Sequence, residues 1–328
     1  MHRLQVQLLA VTLSLVPLYP LASEFRIELP VICDYGTTCF FQNFVDLDPR
    51  AGISDPWCGN AAYEEHKGTD IRVLTIKDIS KNYPVVAVAN GTVKAVRDGI
   101  ADRLFKPLQD KSAVSGKECG NGVVLQHSDG YESQYCHMKR GSVAVEVGDN
   151  VYTGERLGHI GNSGFAEFPH LHLTMRKNGV WFDPVSGRYP GTVCKPATVN
   201  TSYFSKSAFQ KVPTDRRQIL TGGLTSSLVE HASLVRSLPK QVSSEDDVIV
   251  GWAWLINLSK GDQVKLRLTG PGGFSIEHTT DALDRHKASY SAYAGRRRSP
   301  EKGHYQLEIS VLNNAIVHVS KKLTFELN

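Results

Sequence analysis

The sequence predicts a mostly β chain organised as two successive domains, and three observations point there. From Val31 to about Pro196, short runs rich in β-branched and aromatic residues alternate with turns of Gly, Asn or Asp. Further on, Val250, Trp252, Trp254, Ile256 and Leu258 alternate on one face of a strand, and later runs recur at intervals matching a sandwich. The length of 328 residues suits two ordinary domains, and 41% hydrophobic with 21% charged residues is a globular composition.

Residues 1–23 begin with a basic start, run apolar from Leu8 to Leu18 and end in small residues. This is the pattern of a secretory signal peptide cleaved near Ala22 or Ser23. The run is short for a membrane span and is ended by Pro17 and Pro20. No later stretch is long and apolar enough to span a bilayer, so the mature protein is expected to be periplasmic or secreted, without stable membrane insertion. The six cysteines agree with export, because disulfides persist in oxidising compartments. Spacing favours Cys33 with Cys39 and Cys119 with Cys136, which leaves Cys58 and Cys194; other connectivities stay open. A formal charge of +4 would favour an anionic polymer but is too small to argue for nucleic acid.

The first domain is read over 24–199. Val85–Ala89, Gly91–Val96, Gly122–His127 and Tyr131–Met138 are its clearest strands, and Ser128-Asp129-Gly130 is a hairpin signal between the last two. Gly99 to Gly120 has little periodicity and reads as a long loop, of the kind that forms a functional wall or lid. The polar stretch 200–224, with its Gly222-Gly223 pair, reads as a linker. The second domain, 225–328, continues with strands at Gln263–Thr269, Ala288–Ala294, Tyr305–Val311 and Ile316–Phe325, and Gly270-Pro271-Gly272-Gly273 makes a turn. It has no helix signal and no cluster of ligands. It is most simply an Ig-like β-sandwich, catalytically silent and used for positioning or binding.

The chemistry lies in two histidine clusters, His66-Lys67-Gly68-Thr69-Asp70 and Pro169-His170-Leu171-His172-Leu173. In a strand, residues i and i+2 share a face, so His170 and His172 project together while Leu171 and Leu173 fill the opposite face. Two imidazoles and a carboxylate make a reasonable catalytic zinc shell with one position left to water. Alone, each cluster is weak, because an exposed His and Asp four apart is common by chance. Their conjunction in a β-rich exported chain is much stronger.

These residues, with others, resemble the LytM/lysostaphin-type zinc metallopeptidases. Tyr63–Asp70 followed by Ile71-Arg72-Val73 is similar to the family's HxxxD motif. Gly122–His127 and Tyr135-Cys136-His137-Met138 are similar to its strand pair ending in Tyr-x-His-Leu. Gly148-Asp149-Asn150-Val151 with Gly154 resembles its turn before the last strands, and Gly161-Asn162-Ser163-Gly164 with Pro169–Leu173 matches its Gly-rich loop and HxH strand. The resemblance spans roughly residues 31 to 185, with the motifs in the family's order.

It implies an antiparallel β peptidase domain of lysostaphin type, in which His66, Asp70 and His172 hold one Zn2+ per chain. His137 and His170 would be the catalytic pair, one accepting a proton from water and the other stabilising the oxyanion. The implied activity is hydrolysis of peptide cross-links in bacterial peptidoglycan, with the peptidoglycan peptide as partner and no nucleic acid. Two alternatives are a secreted zinc peptidase acting on a non-wall peptide or protein, and a catalytically silent activator of other wall hydrolases. The chain departs from the family at Phe165-Ala166-Glu167-Phe168, where smaller residues are usual, in the insertion-like loop Gly99–Gly120, and at Cys136.

Other conspicuous residues have blander readings. His127 is expected to be structural, and His159 could only approach the site. His278, His286 and His304 read as surface or packing residues, and Arg296-Arg297-Arg298 as a solvated loop. Trp252 and Trp254 are expected to pack in a core and not to form a stacking platform.

Overall fold

The computed structural model describes residues 24–106 and 112–328; the expected signal peptide lies outside them. Among the described residues, ten strands come before residue 200. They are β1 (Phe40–Phe41), β2 (Thr69–Arg72), β3 (Pro84–Val86), β4 (Gly91–Arg97), β5 (Asn121–Gln126), β6 (Tyr131–Met138), β7 (Asn150–Val151), β8 (Arg156–His159), β9 (His170–Lys177) and β10 (Val180–Phe182). One sheet runs β1-β2-β9-β6-β5-β4-β7, with β10 also paired to β9, and β3 pairs with β8 separately. All of these pairings are antiparallel.

The sheet's inner face explains its register. Ile71, Leu125, Tyr135, Leu171 and Leu173 are fully buried in one core with Phe41, Phe44 and Phe182. Each such aliphatic or aromatic side chain contributes about 1.5–3 kcal/mol relative to exposure. A one-residue slip of β9 would turn Leu171 and Leu173 outward and the histidines inward, so this burial fixes where the histidines point. Three disulfides brace the half: Cys33–Cys39, Cys58–Cys194 and Cys119–Cys136, the pairing favoured by spacing. From 98 to 111 the described residues form no helix or strand, in keeping with the expected long loop.

The second half is a two-sheet β-sandwich. Its strands are β11 (Gln218–Thr225), β12 (Val248–Leu258), β13 (Gln263–Thr269), β14 (Ser275–Thr279), β15 (Lys287–Arg297), β16 (Gly303–Asn313) and β17 (Ile316–Leu327). They form sheets β11-β12-β15 and β14-β13-β16-β17.

The linker reading of 200–224 is corrected here. Phe204, Ala208 and Val212, spaced by four, are buried in the first core, and Lys206–Phe209 is a helical turn. Gln218–Thr225 then pairs with β12 as a sandwich strand. The glycines that suggested a flexible link serve close packing instead. A Cβ on Gly222 would lie 2.6 Å from the Trp252 carbonyl oxygen, and one on Gly223 would lie 2.9 Å from Trp252 Nε1.

β12 is buried on both faces. Ile249, Ala253 and Leu255 enter the sandwich core, while Trp252, Trp254 and Ile256 join Phe40, Leu220, Val229 and Leu234 in a separate cluster between the halves. Leu258 leaves the alternation and packs with the sandwich core, because Asn257 adopts φ 57° and interrupts the pairing with β15. Both tryptophans therefore pack as expected, but in a cluster shared with the first half. Arg296 and Arg297 end β15 as exposed strand residues, not as a loop.

Candidate metal centre

β2 and β9 lie side by side with Asp70 opposite His172 and Arg72 opposite His170. On the other flank of β9, Cys136 of β6 lies opposite His172, which brings His137 to the same end. Four of the five site residues predicted from sequence thus come from three neighbouring strands, and His66 arrives from the loop before β2. All five are brought together.

His66 Nε2, Asp70 Oδ1 and His172 Nδ1 form a triangle with edges of 3.2, 3.1 and 2.9 Å. Donors about 2.0–2.2 Å from a tetrahedral zinc stand roughly 3.3–3.6 Å apart, so the triangle would need to open by only a few tenths of an ångström. The outer atoms of each ligand are engaged. His66 Nδ1 donates to the Phe44 carbonyl at 2.7 Å, which leaves a lone pair on Nε2. Asp70 Oδ2 accepts from Asn43 Nδ2 at 2.8 Å, and His172 Nε2 contacts Thr174 Oγ1 at 3.0 Å. Two imidazole lone pairs and a carboxylate oxygen facing one another repel unless a cation or a proton lies between them. Gly68 is what lets the loop close, since a Cβ there would stand 2.4 Å from His172 Nε2.

His137 and His170 flank the triangle. Their ring centroids are 4.6 Å apart, and His170 Nε2 lies 3.5 Å from Asp70 Oδ1. Each is tethered by its far nitrogen: His137 Nδ1 donates to the Ser163 carbonyl and His170 Nδ1 to the Phe168 carbonyl, both at 2.8 Å. Both neutral rings therefore present an Nε2 lone pair to the centre. His137 holds φ 62°, a conformation uncommon outside glycine and enriched at functional sites. His137, His170 and His172 also form a second, looser group of donors within 4.8 Å of one another.

Burial sets the charge states. It pushes His170 down to about 4 and His137 well below the ordinary imidazole value, aided for His137 by the neighbouring histidines. His172 is lowered by burial too, against the pull of Asp70. Burial alone would raise Asp70, but His66 and His170 and the hydrogen bonds from His172 and His66 hold its carboxyl well below the usual range. The centre thus offers an anionic ligand, with His137, His170 and His172 pushed toward their neutral forms, which suits a divalent cation.

A cleft of about 300 Å³ opens beside the centre, lined by Tyr63, Asp70, Phe165, Phe168, His170 and, from the second half, Ala288. Phe105 of the long loop packs on Phe165 at 4.0 Å between centroids, and its N–H donates to the Ala166 carbonyl. The loop therefore backs Phe165, which lines the cleft, and none of its described residues lines the cleft itself. His127 is bonded to Asn90 and Ser133 in the core, and His159 joins neither donor group. Sequence reasoning did not find Asn43, Thr174 or the carbonyls that orient the imidazoles. A carbonyl leaves no residue-type signal.

Comparison with known proteins agrees with the location of the centre. Residues 64–184 match the model of peptidase family M23. A Haemophilus influenzae protein named an uncharacterized metalloprotease is 30% identical over 152 residues, 44% of this chain and 27% of that protein. A DD-carboxypeptidase/endopeptidase of Neisseria meningitidis is 39% identical over 71 residues, 22% of this chain and 16% of that protein. A peptidoglycan DD-endopeptidase of Vibrio cholerae is 30% identical over 87 residues, 26% of this chain and 20% of that protein. The chain spans about a quarter or less of the length of these relatives.

Proposed function

Since residues 64–184 are a peptidase family M23 domain, we propose that this protein is an exported zinc metalloendopeptidase that hydrolyses peptide cross-links of peptidoglycan. The observation that carries this reading is the triangle of His66 Nε2, Asp70 Oδ1 and His172 Nδ1 with two further imidazoles at its open side. In it, His66, Asp70 and His172 hold one Zn2+ per chain, and the ion supplies carbonyl polarisation and water activation near neutral pH.

The remaining work falls to His137 and His170. Both are neutral at pH 7, and both offer a lone pair, so either can accept the proton of the attacking water. The protonated ring then has an N–H to give, first as a donor to the developing oxyanion and then as the acid that protonates the leaving amine. Carbonyl tethers at Ser163 and Phe168 keep these lone pairs aimed at the centre. The wall as substrate is supported by the name of the Vibrio relative, a peptidoglycan DD-endopeptidase. A periplasmic or secreted location is supported by the apolar run before Ser23 and by three disulfides.

The test is mass spectrometry of fragments released from purified peptidoglycan by the zinc-loaded mature protein. Cross-linked muropeptides should be converted to monomers with a new amine and a new carboxylate. Intact cross-links, beside cleavage of an unrelated soluble peptide, would overturn the wall reading.

A further inference from the structure

The second half contributes no ligand, yet it reaches the centre through a buried arginine. Arg72, two residues beyond Asp70 on β2, is 1% exposed and has no carboxylate partner among the described residues. Its N–H groups donate to Gln42 Oε1 at 2.6 Å, the Leu74 carbonyl at 2.9 Å and the Val73 carbonyl at 3.1 Å. Its guanidinium stands 4.8 Å from the centroid of the Phe168 ring and 4.6 Å from that of Trp254. Trp254 belongs to the sandwich, and its Nε1 donates to Ser289 at 2.9 Å.

Phe168 completes the chain to the site. Its carbonyl accepts a hydrogen bond from His170 Nδ1–H, and the two rings lie 4.5 Å apart. A second link runs in parallel. The Gln42 side chain accepts from Arg72, while its backbone carbonyl accepts from Asn257 of the sandwich at 2.7 Å.

We infer that Arg72 and Trp254 are positioning residues for His170, so that the sandwich is a working wall of the centre and not a silent appendage. The inference rests on the catalytic reading of His170. A buried cation without a counter-ion is costly, and an apolar side chain would fill the same space more cheaply. What the guanidinium adds is a plane in contact with two aromatic rings, its donors spent on fixed oxygens. That plane sets where Phe168 lies. The Phe168 carbonyl in turn sets which nitrogen of His170 carries the proton and where its lone pair points. A misplacement on the order of 1 Å at such a group costs about 10²-fold in rate.

The experiment uses the full-length, zinc-loaded protein and the variants Trp254→Ala, Trp254→Phe and Phe168→Leu. Zinc content, kcat and KM on peptidoglycan, and the 1H–15N signals of the His170 ring are measured for each. Trp254→Ala should keep zinc and change KM less than about twofold while kcat falls about tenfold or more, and Phe168→Leu, in the cleft wall, should keep zinc and lose as much kcat whatever its KM. Their His170 Nδ1–H signal should shift or broaden as the tether loosens, and Trp254→Phe should restore both readouts. A folded, zinc-loaded Trp254→Ala with wild-type kcat and an unchanged His170 spectrum would overturn the inference. Should Trp254→Ala fail to fold, Phe168→Leu, which leaves the cluster between the halves intact, decides in the same way. Absence of turnover in the wild type would count against the proposed function alone, because the ring signals still read the coupling.

Discussion

Asp70 and His172 face each other across antiparallel strands, and Asp70 Oδ1 stands 2.9 Å from His172 Nδ1. Two residues 102 positions apart are thereby held as two corners of a donor triangle by backbone register alone.

That triangle should bind one zinc per chain. Asp70→Ala should leave less than about a tenth of an equivalent after zinc loading, because it removes the only anionic ligand. Chelation of the wild type should abolish turnover, and zinc should restore it. Metal analysis beside turnover checks both, and a variant with full zinc would refute the ligand assignment.

His137→Ala and His170→Ala should keep near-stoichiometric zinc while activity falls by about 10²–10³, as for loss of a general base or an oxyanion donor. Zinc lost in parallel with activity would make these residues ligands. Full activity in both would end their catalytic assignment.

Gly68→Ala should weaken metal binding more than a Gly→Ala change at an open position such as Gly141. The new methyl would press on His172 Nε2 at 2.4 Å, whereas nothing lies within 4 Å at Gly141. Overpacking of this kind costs about 1–3 kcal/mol, and here it falls on a ligand. Competition with a zinc-binding dye measures the difference. Equal affinity in the two variants would show that His172 moves aside freely.

Asp183 should make the protein less stable as pH rises from about 4 to 6. Burial pushes its carboxyl up to about 6 despite hydrogen bonds from Ser186 and Val185, above the ordinary 3.8. Between those values the folded state holds a proton that the unfolded state has lost. Stability therefore falls with rising pH, by at most about 3 kcal/mol. Asp183→Asn removes this dependence and should gain on the wild type across that window. Thermal melts of the pair at several pH values test it, and parallel curves would refute it.

Removing Cys58–Cys194 should destabilise the protein more than removing Cys33–Cys39. The first closes a loop of sequence separation 136 and the second one of 6. Loop-closure entropy alone then favours the longer bridge by about 2–3 kcal/mol. Urea unfolding of the two double Cys→Ser variants gives the comparison.

Most of the site was legible in sequence because it follows the two-residue period of strands. His170 and His172 share a face for that reason, and Leu171 and Leu173 fix which face is buried. The strand Gln218–Thr225 was missed because Gly222 and Gly223 carry no side chain to register in a hydrophobic pattern. Their signal is the space they leave for Trp252. Arg72 was passed over for the opposite reason, since a cation two residues from a ligand reads as surface. Only the fold brings Phe168 and Trp254 against it.

The imidazoles of His66, His137 and His170 are each oriented by a main-chain carbonyl, at Phe44, Ser163 and Phe168. No side-chain replacement at those three positions deletes the acceptor. Apart from Phe168, whose ring also sets where its carbonyl lies, exchange of residue types at these positions should therefore be tolerated better than changes in segment length. A single-residue deletion between Ser163 and Phe168 would move two tethers at once, so natural or engineered variation there should run to substitution and not to gaps.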